Sequence, residues 1–304
     1  MFQGEVKFSS TFDGIMGEGA SAFVYLQELN GQEVAVKVFH QCFLRRKVMK
    51  VYENLRKLEH QNICKTLGFS FQPSSLVLES CYIPLSDGDK ASNLSQLLEI
   101  WNEENHINLH HRTSLIIQAT EGLNYLHSNF ILHKDFKPTN LLVKGSIDKV
   151  IVKVCDFDDI HALKTTTLST MSILGRKGMT LTYIAEEILK GEQPSFKSDV
   201  FSWGLSTFEI LSNTGCPWTG CLPILSDVLL LKAYSEGVRP KLDRLEWLYK
   251  KNDLEQIMSI LTSSWSSDKL KRPTIEQVCV NKYFYTGYSK KNDTLLSANR
   301  KFLL

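Results

Sequence analysis

The sequence predicts an α+β fold in two lobes, a small β-rich lobe with one main helix followed by a larger helical lobe. Three observations predict it. Strand-period runs joined by an Asn-Gly pair fill the first ~80 residues, and helical spacing takes over beyond residue 90. The 304 residues also suffice for about two compact units at roughly 150 residues each.

Residues 22–29, Asn30-Gly31 and residues 32–39 read as a hairpin, because Asn-Gly fits the two positive φ angles of a type I′ turn. In its second strand Val34, Val36 and Val38 share one face, and Ala35 and Lys37 the other. A helix follows over 43–58, then strand-like runs at 67–72 and 76–80. The stretch 83–92, with Ser86-Asp87-Gly88-Asp89, reads as the crossing between lobes, so the small lobe takes 1–82. Beyond it Leu115, Ile116, Ala119, Leu123 and Leu126 recur at helical spacing, and 150–154 read as a strand. Residues 199–211 are apolar nearly all round, as a buried helix is. The larger lobe is expected over 83–286, with 287–304 as a short polar tail.

Composition excludes several function classes. With 35 Lys+Arg against 33 Asp+Glu, a net charge of +2 gives no field that argues for nucleic acid. Apolar stretches are interrupted within about ten residues, short of the ~20 a membrane span needs. The start, with Glu5 and Lys7, has no apolar signal-peptide core, and Phe2 stands where myristoylation needs glycine. Seven cysteines (42, 64, 81, 155, 216, 221 and 279) without Cys-x-x-Cys spacing read as reduced thiols, neither a disulfide framework nor a zinc site. The expectation is a cytoplasmic globular protein with neither a membrane nor a nucleic-acid partner.

Chemistry concentrates in a few segments. Met16-Gly17-Glu18-Gly19-Ala20-Ser21-Ala22-Phe23-Val24 lies on a strand–turn–strand, whereas a dinucleotide-binding glycine turn opens a helix. It suits a flap whose backbone amides lie over phosphates. Lys37 is a lone cation in an apolar strand, on the face of small Ala35, which leaves room for a flat base while Lys37 reaches phosphate oxygens. The strongest signal is His133-Lys134-Asp135-Phe136-Lys137-Pro138-Thr139-Asn140, directly after the amphipathic helix. There Asp135 can accept a hydroxyl proton, Lys137 can neutralise a transferring phosphoryl group, and Asn140 can bind a metal through its amide oxygen. Further on, Asp156-Phe157-Asp158 follows a strand and supplies a carboxylate for Mg²⁺.

In this order and spacing these elements resemble the eukaryotic protein kinases, over about residues 12–285. Asp199-Val-Phe-Ser-Trp-Gly204, Ala185-Glu-Glu187 in place of Ala-Pro-Glu, and Lys271-Arg272-Pro273-Thr274 reinforce the resemblance. It implies a two-lobed kinase fold, ATP and Mg²⁺ as cofactors, and a protein substrate. It further implies that Lys37 contacts the α/β-phosphates, Asp135 orients the substrate hydroxyl with Lys137 beside it, and Asn140 and Asp156 hold Mg²⁺. Met16, Gly17, Gly19, Val24, Ala35, Leu142, a gatekeeper Leu78, and Glu79 and Cys81 of the hinge would surround ATP. Asp199 would hold the catalytic loop, and Glu187 would pair with Arg272. Lys137 and Thr180 ahead of Tyr183 are similar to serine/threonine kinases. Glu236-Gly-Val-Arg-Pro240 and Ser264-Trp265 are similar to the tyrosine-kinase-like group.

The pattern also departs from the family. Counting back from His60-Gln-Asn-Ile63, the helix glutamate that pairs with the strand lysine is replaced by Val51. Val48, Val51, Tyr52, Leu55 and Leu58 define one apolar helix face, with Glu53 nearly opposite its centre, so Glu53 is expected at the surface. Asp158 replaces the glycine of Asp-Phe-Gly, Lys134 replaces arginine, Ala22 stands at the third glycine and Glu186 replaces proline. Thr165, Thr166, Thr167, Ser169, Thr170 and Ser172 are either phosphosites or a hydroxyl-rich loop; His161 and His110-His111 have no partners at metal spacing. Two functions stay open: a protein serine/threonine kinase of low activity, and a pseudokinase that binds nucleotide and works through partners.

Overall fold

The computed structural model describes residues 4–8, 12, 14–19, 22–40, 42–86, 88–103, 109–157, 181–222, 226–248 and 251–280. Five strands, β1 (Ile15–Glu18), β2 (Ala22–Leu29), β3 (Gln32–Phe39), β4 (Thr66–Phe71) and β5 (Ser74–Glu79), form an antiparallel sheet in the order β1-β2-β3-β5-β4. The β2–β3 hairpin falls where the Asn-Gly signal puts it. Leu29 pairs with Gln32, and Asn30 (φ 50°) and Gly31 (φ 74°) take the two positive angles of the turn. The resulting register sets Lys37 between Val24 and Leu76, and Ala35 between Leu26 and Leu78.

Both faces of this sheet are covered. Val34 and Val36 pack with Leu67 and Val77 under Val6, Phe8 and Phe12. On the other side Phe39, Phe69 and Leu76 meet Val48 and Tyr52 of helix α1 (Arg45–Leu55). The helix is shorter than the 43–58 expected from periodicity, because residues 56 and 57 already belong to a turn. Residues 83–92, read as a plain crossing, contain a small ladder of β6 (Ile83–Pro84) with β7 (Lys90–Ala91).

The helical part is built on α2 (Leu94–Glu103), α3 (Leu109–Ser128), the single turn α4 (Glu186–Leu189) and α5 (Phe196–Ser212). It continues with α6 (Asp227–Ser235), α7 (Asp243–Leu248), α8 (Lys251–Ser264) and α9 (Ile275–Cys279). Every residue of α5 from Ser198 to Ser212 is buried, as the apolar run predicts. A Ser195/Ser198 capping box starts that helix, and Asn213 (φ 59°) ends it in the left-handed conformation. Hairpin β8 (Leu141–Ser146) and β9 (Lys149–Val154) rests on α3. Among the described residues no helix is long and apolar enough to cross a membrane.

Gly122 of α3 is the closest approach in this packing. A Cβ there would lie 2.6 Å from both the Asn62 carbonyl oxygen and Val154 Cγ2. That carbonyl accepts the Val154 amide at 2.8 Å, so the clash falls on the bond that seats the strand leading to Asp156. Gly122→Ala is expected to destabilise the fold by about 1–3 kcal/mol, measured by urea unfolding. An unchanged midpoint would mean that the helix and strand separate without cost.

Candidate active site

Strand β3 delivers Lys37, whose side chain is 10% exposed and whose ammonium ion-pairs with Asp156 Oδ1. Asp156 sits just past β9 in the left-handed region (φ 63°), a conformation few non-glycine residues adopt without a compensating contact. Burial alone would raise the Asp156 carboxyl. The charge and hydrogen bond of Lys37 outweigh it, His133 and Lys137 add to them, and the carboxyl is held below its ordinary range.

The segment after α3 folds against Asp199 of the buried α5. Asp199 Oδ2 accepts the His133 amide and Oδ1 the Lys134 amide, both at 2.8 Å, and His127 Nε2 lies 2.9 Å from Oδ2. Lys134 takes φ 69°. One buried carboxylate thus fixes the two residues ahead of Asp135. Lys137 Nζ contacts Asp135 Oδ2 at 2.7 Å, and Asn140 Nδ2 donates to Asp135 O at 2.8 Å and to Oδ2 at 3.0 Å. Asn140 O accepts the Cys155 amide at 3.1 Å, which ties that loop to the residue before Asp156. Lys37, Asp135, Lys137, Asn140 and Asp156 therefore form one connected group. Asp135 keeps 43% of its side chain exposed. The Asn140 amide nitrogen is turned to Asp135, and its Oδ1 accepts no bond from the described residues, so an oxygen-preferring cation could take that oxygen with Asp156.

The helix register follows the expectation. Val51 packs into the apolar cluster under the sheet. Glu53 is 45% exposed and bonded to Arg56 Nε at 2.6 Å. Ala35 and Leu78 are cross-strand neighbours, and Met16, Gly17 and Val24 lie on β1 and β2, with Gly17 opposite Val24. A cavity of about 270 Å³ opens beside them, lined by Gly14, Ile15, Met16, Leu26, Lys90, Ser92 and Gln96. Gly19 closes the β1–β2 turn by donating to Ala22 O at 2.9 Å. Leu142 lies on β8, bridged to Asn93. A larger cavity, about 620 Å³ beside Asn213, Lys241 and Arg244, is lined by none of these residues.

Glu79 turns its side chain away from this group. Its carboxylate meets Lys153 at 2.8 Å, Lys144 at 2.9 Å and the Lys65 amide at 2.9 Å. Burial would raise this carboxyl; the two lysines and the amide hold it below its ordinary range. The hinge contact expected of Glu79 would therefore fall to its backbone. Asp158, His161, the Thr165–Ser172 hydroxyls, Thr180 and the tail 287–304 lie outside the described residues.

Two pairings near Tyr183 carry no local sequence signal. Glu186, the proline replacement, is buried and pairs with Arg239, which also donates to Trp265 O at 2.8 Å and Ser267 Oγ at 2.8 Å. Beside it, Glu187 and Arg272 form the expected bidentate pair at 2.6 and 2.8 Å. Glu209, 3% exposed on α5, accepts the Tyr183 hydroxyl at 2.5 Å.

Burial pushes the Glu209 carboxyl from 4.5 up to about 7. The protonated buried form therefore stabilises the fold below about pH 4.5, and that stability is lost as pH rises through 7. Glu209→Gln is expected to remove this slope. The wild type should lose about 2.5 kcal/mol relative to the variant between pH 5 and 8. Parallel stability–pH profiles of the two proteins would show that Glu209 ionises as freely as in the unfolded chain.

The five-stranded sheet followed by the helical part is the two-lobed fold of a protein kinase domain. The protein kinase domain family matches residues 10–284, and the chain belongs to that family. It is 30% identical over 269 residues to the serine/threonine-protein kinase CTR1 of Arabidopsis thaliana, covering 86% of this chain and 30% of that protein. It is 26% identical over 273 residues to mitogen-activated protein kinase kinase kinase 7 of Homo sapiens, covering 87% and 40%. The chain spans less than half the length of these relatives.

Proposed function

We propose that this chain is an ATP- and Mg²⁺-dependent protein kinase that transfers the γ-phosphoryl group to serine or threonine of protein substrates, at a low rate. The observation that carries this reading is the convergence of Lys37, Asp135, Lys137, Asn140 and Asp156. In it, residues 1–82 form the small lobe, 83–286 the large lobe and 287–304 a tail. Met16, Gly17, Gly19, Val24, Ala35, Leu78 and Leu142 enclose the nucleotide, with the backbone of Glu79 and Cys81 on the adenine edge.

Asp135 orients the substrate hydroxyl and accepts its proton, and Lys137 neutralises charge on the transferring group. Lys37 contacts the α/β-phosphates. Asn140 and Asp156 would hold Mg²⁺, which supplies charge neutralisation at the phosphates when bound. Low activity follows from α1. With Val51 inward and Glu53 bound to Arg56, this helix supplies no carboxylate to Lys37, which pairs with Asp156 instead. Nucleotide binding must open that ion pair before either residue can serve.

The same observation favours a second reading, a pseudokinase that binds nucleotide and acts as a scaffold. Purified chain with Mg²⁺ and radiolabelled ATP is expected to label itself or a generic basic protein, and excess EDTA should abolish the label. An ATP-dependent rise in melting temperature with no EDTA-sensitive label would favour the scaffold. Absence of both would overturn the two readings together.

A further inference from the structure

Two buried thiols stand where β4 and β5 meet the hinge. Cys64 precedes β4 and is 5% exposed; Cys81 follows β5 and is 3% exposed. Their sulfurs and one Glu79 carboxylate oxygen all lie within 4.8 Å of one another. The pair flanks the last rung of the ladder, where the Glu79 amide donates to Lys65 O at 2.9 Å. Across that ladder Thr66 faces Leu78, so Cys64 and Cys81 stand one residue out of direct opposition, and it is the closeness of their sulfurs that makes a disulfide reachable.

The trio does not suit a divalent cation. Both Glu79 oxygens are taken, by Lys153 and the Lys65 amide on one and by Lys144 on the other, and a cation would sit among ammonium groups. The hydrogen-bonded Cys81 thiol and burial push the Cys64 thiol well above its ordinary range, so it rests as a thiol. Lys144 lies within electrostatic reach of both sulfurs and offsets part of the negative charge that forms as the proton leaves.

We propose that Cys64 and Cys81 are a reversible redox pair, closed to a disulfide by a hydroperoxide, which staples the hinge to the start of β4 and weakens nucleotide binding. One thiolate attacks the peroxide oxygen, giving a sulfenic acid and hydroxide. The second thiolate displaces the sulfenic oxygen, which leaves with a proton as water. In sum the two thiols lose two protons and two electrons, and hydrogen peroxide becomes two waters.

Closure draws the sulfurs to about 2.05 Å, so the backbone must shift to follow. On one side that backbone is the hinge at Cys81. On the other, Cys64 donates its amide to Val154 O at 2.9 Å, two residues before Asp156. The crosslink therefore loads both the adenine edge and the strand that seats the metal-site aspartate. This consequence rests on the nucleotide reading above; the crosslink itself does not.

Cys42 is exposed and would react independently, so the test uses full-length protein carrying Cys42→Ser. It is treated with hydrogen peroxide, alkylated, digested and weighed, and Mg²⁺·ATP affinity is measured before and after. The expected result is a peptide pair joined through Cys64 and Cys81, two hydrogens lighter than the free pair and reversed by dithiothreitol. Oxidised protein should bind ATP about tenfold more weakly, and a reductant should restore it. Cys64→Ser and Cys64→Ala variants should lose both the crosslink and the peroxide sensitivity. Free thiols at both positions after treatment, or a link from either to Cys155, would overturn the redox pair. A Cys64–Cys81 link that leaves ATP affinity unchanged would overturn its regulatory role. Reduced protein that binds no ATP would overturn the nucleotide reading, while the mass measurement still decides the pair.

Discussion

Arg272→Ala is expected to destabilise the protein by about 3–5 kcal/mol in urea unfolding, with no need to touch the candidate active site. Arg272 is 1% exposed and Glu187 5% exposed, and they meet through two bonds at 2.6 and 2.8 Å. The guanidinium also donates to Ser266 O at 2.9 Å and to Lys197 O at 3.0 Å, and it lies 4.8 Å from the Phe201 ring centroid. Truncation therefore opens a cavity and strands two carbonyls. Above all, it leaves a buried carboxylate without its countercharge, which costs far more than the pair contributes by forming. Lys197 does not substitute, since its nitrogen donates to Arg272 O and burial already lowers its pKa. The double variant Arg272→Met with Glu187→Leu should recover most of the loss, because it removes the stranded charge and refills the volume. A single-variant loss under about 1 kcal/mol would mean that solvent reaches Glu187 and the pair is a surface one.

Local pattern made most of the fold legible, and contacts between distant segments account for what it missed. The hairpin at Asn30-Gly31 and the buried helix of α5 are encoded in neighbouring residues, so their positions follow from turn chemistry and periodicity. The surface position of Glu53 was readable for the same reason: a helical wheel places it before any tertiary contact does. The pairing of Glu186 with Arg239 is different, since it joins residues 53 apart and neither neighbourhood encodes it. The replacement of proline by Glu186 reads as a local change and names no partner. Likewise the place of Glu79 on a strand was legible while the direction of its side chain was not. Lys144 and Lys153 come to it from β8 and β9, of which the sequence pattern marks only 150–154 as a strand.

Asp135→Asn is expected to lower phosphoryl transfer by about 10³-fold while changing stability by about 1 kcal/mol or less. Asparagine is nearly isosteric, and its side-chain oxygen can still accept from Asn140 Nδ2, which bonds Asp135 at both its carbonyl and its carboxylate. The anchoring of the loop through Asp199 to the His133 and Lys134 amides is untouched. What the change removes is the negative charge beside Lys137 and the capacity to take a proton from a bound hydroxyl. Steady-state rates and an urea midpoint measured on the same preparations separate the two effects. A variant that folds like the wild type and loses the label assigns the chemistry to this carboxylate. A variant that labels as fast as the wild type would remove Asp135 from the reaction. The residual label would then have to come from another route, and the scaffold reading would gain. The contrast with Arg272→Ala is informative in itself. Asp135 is half exposed and its loss is expected to tell on rate, whereas Glu187 is buried and the loss of its partner is expected to tell on folding.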